Sequence, residues 1–188
     1  SRKANIRKIL VFTGTRADYG LLKPLMHELK IKENIILQVI ASGTHLLRNY
    51  GSTYKEIIKD GFNISYKIDI GIKGDSKVDV ANSMGKGIKL YAKCLNILKP
   101  DIVVVLGDRY EALAFAQASM IMNVPIAHIH GGESTEGLID EPIRHSITKM
   151  SHLHFATAEK YRSRIIQMGE SPKKVFNYGA PGLDNIAL

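Results

Sequence analysis

One stretch of this chain leaves little choice of architecture. DIVVVLGD (101–108) is a continuous run rich in β-branched residues that closes on glycine and aspartate. A strand that is apolar on both faces must be covered on both faces. That is the position of a central strand in a parallel sheet flanked by helices. The surrounding sequence supplies more strands and the helices to cover them. KILVFTG (8–14), IILQVIASG (35–43), VPIAHIH (124–130), LHFATA (153–158) and KVFNYGAPG (174–182) read as further strands, and SYKIDI (65–70) alternates as a half-buried strand does. Between them lie helical patterns at 17–30, 53–61, 109–123, 140–150 and 159–169, and a longer one running from about Lys77 to Leu98. Asp79 or Ser76 can cap that long helix, and Lys99-Pro100 ends it. Pro24 sits early in the first helix, where a proline is least harmful. Strand and helix alternating along the whole chain predict an α/β fold, a doubly wound, Rossmann-like parallel sheet, as a single domain over residues 1–188.

Composition narrows the function classes. The chain has 188 residues, 45% hydrophobic and 23% charged, enough for one domain with a sizeable core. No apolar run approaches the roughly 18 residues of a membrane helix, and no signal-like core follows the charged start, so a cytoplasmic protein is expected. The single cysteine, Cys94, falls within the long helix and rules out an intramolecular disulfide or a cysteine-based zinc site. A net charge of +8 invites nucleic acid. The lysines are scattered, however, without a basic tract or an RNA-type aromatic motif, and an anionic small substrate accounts for part of the excess equally well. Nucleic acid is therefore not expected as a partner.

Open α/β sheets bind ligands beyond the carboxyl ends of their strands. That rule selects the loops after Phe12, Ile40, Leu106, Ile129 and Ala156. The first carries TGTRADYG (13–20), which is neither a dinucleotide fingerprint nor a P-loop. Arg16 can clamp a phosphate there, or it is a surface arginine beside a tight turn that Asp18 caps. The second holds His45, a weak signal taken alone. After DIVVVL stand Asp108 and Arg109. A carboxylate at the end of an apolar run suits proton transfer, substrate hydroxyls or an ion pair, and equally a helix cap.

HIHGGE (128–133) follows the next strand. Strand alternation would turn His128 and His130 to one side, with Glu133 over the same sheet edge and two glycines allowing close approach. His128, His130, Glu133 and His145 could be read as a metal set, but no zinc-enzyme helix motif accompanies them. In DEPIRH (140–145), Asp140 and Arg144 are four apart and share a helix face, with His145 about 100° further round. That pair is either an exposed salt bridge or part of a cluster suited to proton abstraction and phosphate departure.

TGTRADYG, GDRYEALA, HIHGGE, DEPIRHSITKMSHLHF and NYGAPGLDN, in this order, resemble the hydrolysing UDP-N-acetylglucosamine 2-epimerases, including the bacterial enzymes that act on UDP-diacetylbacillosamine. The resemblance covers essentially the whole chain. It implies the first half of a two-domain, glycosyltransferase-B-like fold, with the second domain absent from this chain and the isolated half inactive. It implies a UDP-sugar substrate and no cofactor or metal. The implied reaction is elimination of UDP across C1–C2 of the sugar and hydration of the resulting glycal, releasing a free 2-epimerised sugar for sialic or legionaminic acid synthesis. The alternatives are a nucleotide-sugar-binding domain without activity, a non-hydrolysing 2-epimerase and a metal hydrolase.

Carried onto these positions, Asp108 and Asp140 match the family's acids and Arg16 its first-loop arginine. His130 stands where some members have a catalytic glutamate, so the acid–base role falls to His130, to Glu133, or elsewhere. An imidazole titrating near about 6.5 can do the same proton transfer. The expected catalytic set is thus Asp108, His130, Glu133 and Asp140, and the expected substrate-binding set is Arg16, His45, Arg109, Arg144 and His145. The helices after Lys77 and Arg109 could supply the face of a homo-oligomer in the full-length protein.

Overall fold

The architecture comes from a computed structural model that describes residues 5–134 and 139–177. Its strands are β1 (Arg7–Thr13), β2 (Ile35–Ser42), β3 (Tyr66–Ile68), β4 (Ile102–Leu106), β5 (Ile126–Ile129), β6 (Leu153–Ala156) and β7 (Val175–Asn177). The α-helices between them are α1 (Arg16–Ile31), α2 (Tyr54–Lys59), α3 (Lys77–Leu98), α4 (Tyr110–Ile121), α5 (Asp140–Met150) and α6 (Glu159–Gln167). The strands form one sheet in the order β3-β2-β1-β4-β5-β6-β7, and every neighbouring pair is parallel. The chain runs outward from β1 to β3, then α3 carries it back across to β4. The order therefore reverses between β1 and β4, which makes the gap beyond their carboxyl ends the topological switch point.

The apolar run at 101–108 supplies β4, the centre of this sheet. Val103, Val104 and Val105 are completely buried, and they alternate between two cores. Val103 and Val105 join Leu10, Phe12, Tyr91 and Phe115 on the face covered by α3 and α4. Val104 joins Ile9, Val11, Leu22, Leu25 and Met26 on the face covered by α1. Each such side chain contributes about 1.5–3 kcal/mol by leaving water. Phe12 stacks on Phe115 at a centroid distance of 4.5 Å and meets Tyr91 edge-on at 5.3 Å, which fixes the end of β1 against α3 and α4.

Helix starts follow the local chemistry. Thr15 and Asp18 form a reciprocal capping box for α1, and the Ser76 hydroxyl, rather than Asp79, accepts from the backbone at the start of α3. Asp79 supplies the backbone N–H that Ser76 receives. Several strands are shorter than the sequence patterns predict, β3 and β5 among them. β3 pairs with β2 at only three positions and has no second neighbour, so SYKIDI contributes three strand residues rather than six. β5 stops at Ile129 because His130 has a φ of 67°, a left-handed conformation. Most of NYGAPGLDN, including the end of the predicted strand over 174–182, lies outside the described residues. Among the described residues no helix is long and apolar enough to cross a membrane.

Candidate active site

Two groups of polar side chains stand at the carboxyl edge of the sheet, joined by the Gly107-Asp108-Arg109 loop after β4. The first lies at the switch point. Thr15, Arg16, Ala17, Thr44, Tyr50, Thr53 and Arg109 line a cleft of about 360 Å³. Arg109 is half exposed, and its Nε donates to Glu111 Oε1 at 2.6 Å. Its terminal nitrogens are thereby left for the cleft, and a fork held by a carboxylate is well suited to a diphosphate. Glu111, in the first turn of α4, is 1% exposed and packs under Gly14. A Cβ on Gly14 would lie 2.7 Å from Glu111 Cγ, so any other residue there would have to displace that side chain. Arg16 reaches outward and meets Glu56 at 3.3 Å.

The second group lies between β4, β5 and α5. Asp108 accepts from Arg144 Nη2 at 2.5 Å. Burial raises the Asp108 carboxyl above its ordinary range, with the Arg144 charge opposing and the nearby Asp140 adding to the rise. Arg144 is buried, and its Nε and Nη1 have no hydrogen-bond partner among the described residues. His130 Nδ1 lies 3.7 Å from Glu133 Oε2. Burial lowers the His130 imidazole below its ordinary value, Glu133 pulls it back up, and Arg144 pushes it down again. Gly132 has a φ of 77°, a Cβ there would collide with the Tyr161 carbonyl, and Arg164 donates to the Gly132 carbonyl at 2.6 Å. The turn is thus clamped by α6, and it holds His130 in a conformation that few non-glycine residues adopt.

Asp108, Arg144, His130 and Glu133 are therefore brought together, with Asp140 at the start of α5 close enough to act on Asp108. Arg16 and Arg109 flank the neighbouring cleft. Three expectations change. His45 does not face the cleft: it is completely buried, and both ring nitrogens are engaged, at 2.8 Å from Thr13 Oγ1 and 2.8 Å from Thr53 Oγ1. His145 lies off the cluster, pairing with Glu141 at 3.1 Å and lining a separate groove with Gln117 and Lys149. One residue along a helix turns the side chain about 100°, and that rotation carries His145 away from the edge that Arg144 faces. His128 does not share a side with His130 by strand alternation, because the strand ends between them. It is buried between Thr148 on α5 at 3.2 Å and the Gly107 carbonyl at 3.1 Å, and burial pushes its imidazole down to about 3.

Among the described residues, no group of three or more His, Cys, Asp or Glu side chains could hold a metal. Glu111 and Thr53 went unremarked in the sequence. The signal for Glu111 was a lone acid in the first turn of YEALAFAQASMI, a helix otherwise almost all apolar, opposite a glycine at the end of β1.

Residues 2–188 match the family described as UDP-N-acetylglucosamine 2-epimerase. The chain is 47% identical over 174 residues to the GDP/UDP-N,N'-diacetylbacillosamine 2-epimerase (hydrolyzing) of Campylobacter jejuni, covering 93% of this chain and 45% of that protein. It is 41% identical to the UDP-N,N'-diacetylbacillosamine 2-epimerase (hydrolyzing) of Legionella pneumophila, covering 96% of this chain and 48% of that protein. The crystal structure of the Methanocaldococcus jannaschii UDP-GlcNAc 2-epimerase in complex with UDP-GlcNAc and UDP superimposes with a TM-score of 0.79 at 25% identity, over 92% of this chain and 46% of that one. The chain thus spans about half the length of the relatives it matches.

Proposed function

Because the chain belongs to the UDP-N-acetylglucosamine 2-epimerase family, we propose that its edge clusters serve the hydrolysing 2-epimerisation of a UDP-N-acetylhexosamine, of the monoacetamido or diacetamido kind. The observation that carries this reading is the placement of Asp108, Arg144, His130 and Glu133 beside an arginine-lined cleft at the switch point. Arg16 and Arg109 bind the diphosphate. His130, whose neutral form burial favours and which lies 3.7 Å from Glu133, takes the C2 proton. The electrons of the C2–H bond form the C1=C2 double bond, and those of the C1–O bond leave with UDP. Asp108 and Asp140 handle the proton of the water that then adds at C1, with Arg144 holding Asp108 in place. The proton that the aspartates take from that water is returned to C2 on the opposite face, and the sugar leaves free of the nucleotide.

The hydrolysing outcome is supported by the Campylobacter and Legionella relatives, both named as hydrolysing 2-epimerases and 47% and 41% identical to this chain. Since those relatives extend well beyond the matched part, we assign to a second domain the other wall of the cleft, without which water is not excluded and turnover is negligible. We place the protein in the cytoplasm as a homo-oligomer, with the exposed Val78 and Ile97 of α3 and Met120 and Ile121 of α4 as the candidate contact.

A proton NMR time course in D2O tests the reaction in the protein that carries both walls of the cleft, with UDP-GlcNAc and UDP-diacetylbacillosamine as separate substrates. Free 2-epimerised sugar carrying deuterium at C2 is expected from one of them. Interconversion with the sugar still on UDP would replace this reading with the non-hydrolysing reaction, and a protein inert with both would leave a binding domain.

A further inference from the structure

His45 belongs to a continuous buried chain that ends at the cleft. Asp18 Oδ2 accepts the backbone N–H groups of Gly14 and Thr15, each at 3.1 Å. Asp18 Oδ1 is met by the Thr13 hydroxyl. Thr13 Oγ1 is 2.8 Å from His45 Nε2, and His45 Nδ1 is 2.8 Å from Thr53 Oγ1. Thr53 is mostly buried but lines the cleft. Four segments contribute one member each: the end of β1, the first turn of α1, the 3₁₀ turn Gly43–Leu46 after β2, and the residue before α2.

Proton counting gives this chain a direction. Burial raises Asp18 to about 6, so at slightly alkaline pH it is a carboxylate and only accepts. Thr13 has a single hydroxyl proton and spends it on Asp18. Thr13 can then only accept from His45, so Nε2 carries the ring proton. Burial pushes His45 down to about 4, so the ring is neutral and Nδ1 is bare. Thr53 must donate its own proton to Nδ1. What remains of Thr53 for the cleft is oxygen lone pairs.

We propose that the Asp18–Thr13–His45–Thr53 chain is a positioning device that presents Thr53 to the cleft as an acceptor, selecting a hydroxyl or amide N–H of the bound nucleotide sugar over a phosphate oxygen. The proposal rests on the nucleotide-sugar reading above for the identity of the donor. It divides the labour of one small cleft. Arg16 and Arg109 attract phosphate, while the lone pairs left on Thr53 repel it, so the two ends of the cleft favour different parts of the ligand. His45 is then a positioning residue that acts through Thr53 without touching the ligand.

Two measurements at pH 8 test this. Long-range proton–nitrogen correlation spectra, with His45 assigned against a His45→Gln variant, report which ring nitrogen carries the proton. The neutral Nε2–H form is expected, and an Nδ1–H form would overturn the proposal whatever the ligand. Calorimetry then compares UDP-GlcNAc with inorganic pyrophosphate as probes of Thr53→Val and Thr53→Ser. Loss of one hydrogen bond is expected to weaken UDP-GlcNAc about three- to tenfold in Thr53→Val, with Thr53→Ser near the unsubstituted protein. Pyrophosphate should be unchanged or bind slightly better. Equal weakening of both probes, or no weakening of UDP-GlcNAc, would also overturn the proposal. Should the unsubstituted protein bind UDP-GlcNAc no more tightly than pyrophosphate, it is the nucleotide-sugar reading that fails. The ring spectrum alone then decides the direction of the chain.

Discussion

The two sides of the Gly107-Asp108-Arg109 loop are built on opposite plans. On the switch-point side most polar groups of the cleft wall are partnered: Asp18 takes three donors, His45 uses both nitrogens, and Arg109 is tied to Glu111, whose second carboxylate oxygen alone is left without a partner among the described residues. On the β5 side groups are left over. Arg144 keeps two buried nitrogens without partners, His130 sits in a left-handed conformation, and its approach to Glu133 is longer than a hydrogen bond. A buried donor without a partner costs stability, and a protein keeps such a cost where a ligand or transition state will supply the acceptor. A finished wall suits binding and an unfinished one suits chemistry. Under the proposed function, the switch-point side would be the wall that orients the nucleotide sugar, and the β5 side the one that meets developing charge.

That contrast is most sharply tested at Arg144. Arg144→Ala removes the partner of the partly buried Asp108 carboxylate and the spare donors together. In the protein that carries both walls of the cleft, we expect kcat/KM to fall about 100- to 1,000-fold, with about 3 kcal/mol lost from stability in denaturant melts. Arg109→Ala, on the finished side, should instead raise KM while changing kcat far less. If the two variants gave the same split between kcat and KM, the division of roles would not stand.

Acid should attack the finished side and the histidine beneath the β5 strand end. His128 and His45 have folded values near 3 and 4, both below the unfolded value of about 6.5. As pH falls below about 6.5, the unfolded chain takes up protons that the fold refuses, so stability falls with pH until the folded values are reached. At pH 5 each buried histidine contributes a loss of about 2 kcal/mol relative to pH 8. Asp18 opposes this in part, because a carboxyl raised to about 6 binds its proton in the fold before it does in the unfolded chain. Melting at pH 5 and pH 8 should therefore show a net loss in acid, and His128→Gln, if it folds, should flatten the dependence. A stability that rose on acidification would contradict the burial assigned to both histidines.

The sheet could be read directly from the sequence because strand burial writes itself as apolar runs. DIVVVLGD is β4, and the order of elements follows the predicted alternation throughout the described residues. Placement at the sheet edge was legible where position along a strand decides it, as for Asp108 and Arg109, while helical spacing put Arg144 on the face of Asp140 and could not show that its guanidinium reaches Asp108 instead. His45, His145 and Glu111 were not legible, because which way a loop or first-turn side chain points depends on what packs behind it. Gly14 is the clearest case, since its meaning rests on Glu111, 97 positions away along the chain. Gly14→Ala should cost about 1–3 kcal/mol by overpacking. If the contact with Glu111 is the cause, adding Glu111→Ala should destabilise less than the sum of the two single changes, a coupling that a double-mutant cycle measures.

The smallest expected effect lies at the outer lip of the finished wall. Arg16 and Glu56 pair at 3.3 Å with 73% and 46% of their side chains exposed, so the pair itself should be worth less than about 0.5 kcal/mol. Its functional consequence is of a different kind. Glu56 competes with any anion for the same guanidinium, and its own charge lies beside the cleft. Glu56→Gln should leave the melting temperature almost unmoved and tighten UDP binding about twofold at low salt, with the gain vanishing as ionic strength rises. An unchanged affinity at low salt would mean that Arg16 does not reach the ligand. The diphosphate would then rest on Arg109 alone, the one cleft arginine whose direction is fixed by a buried carboxylate.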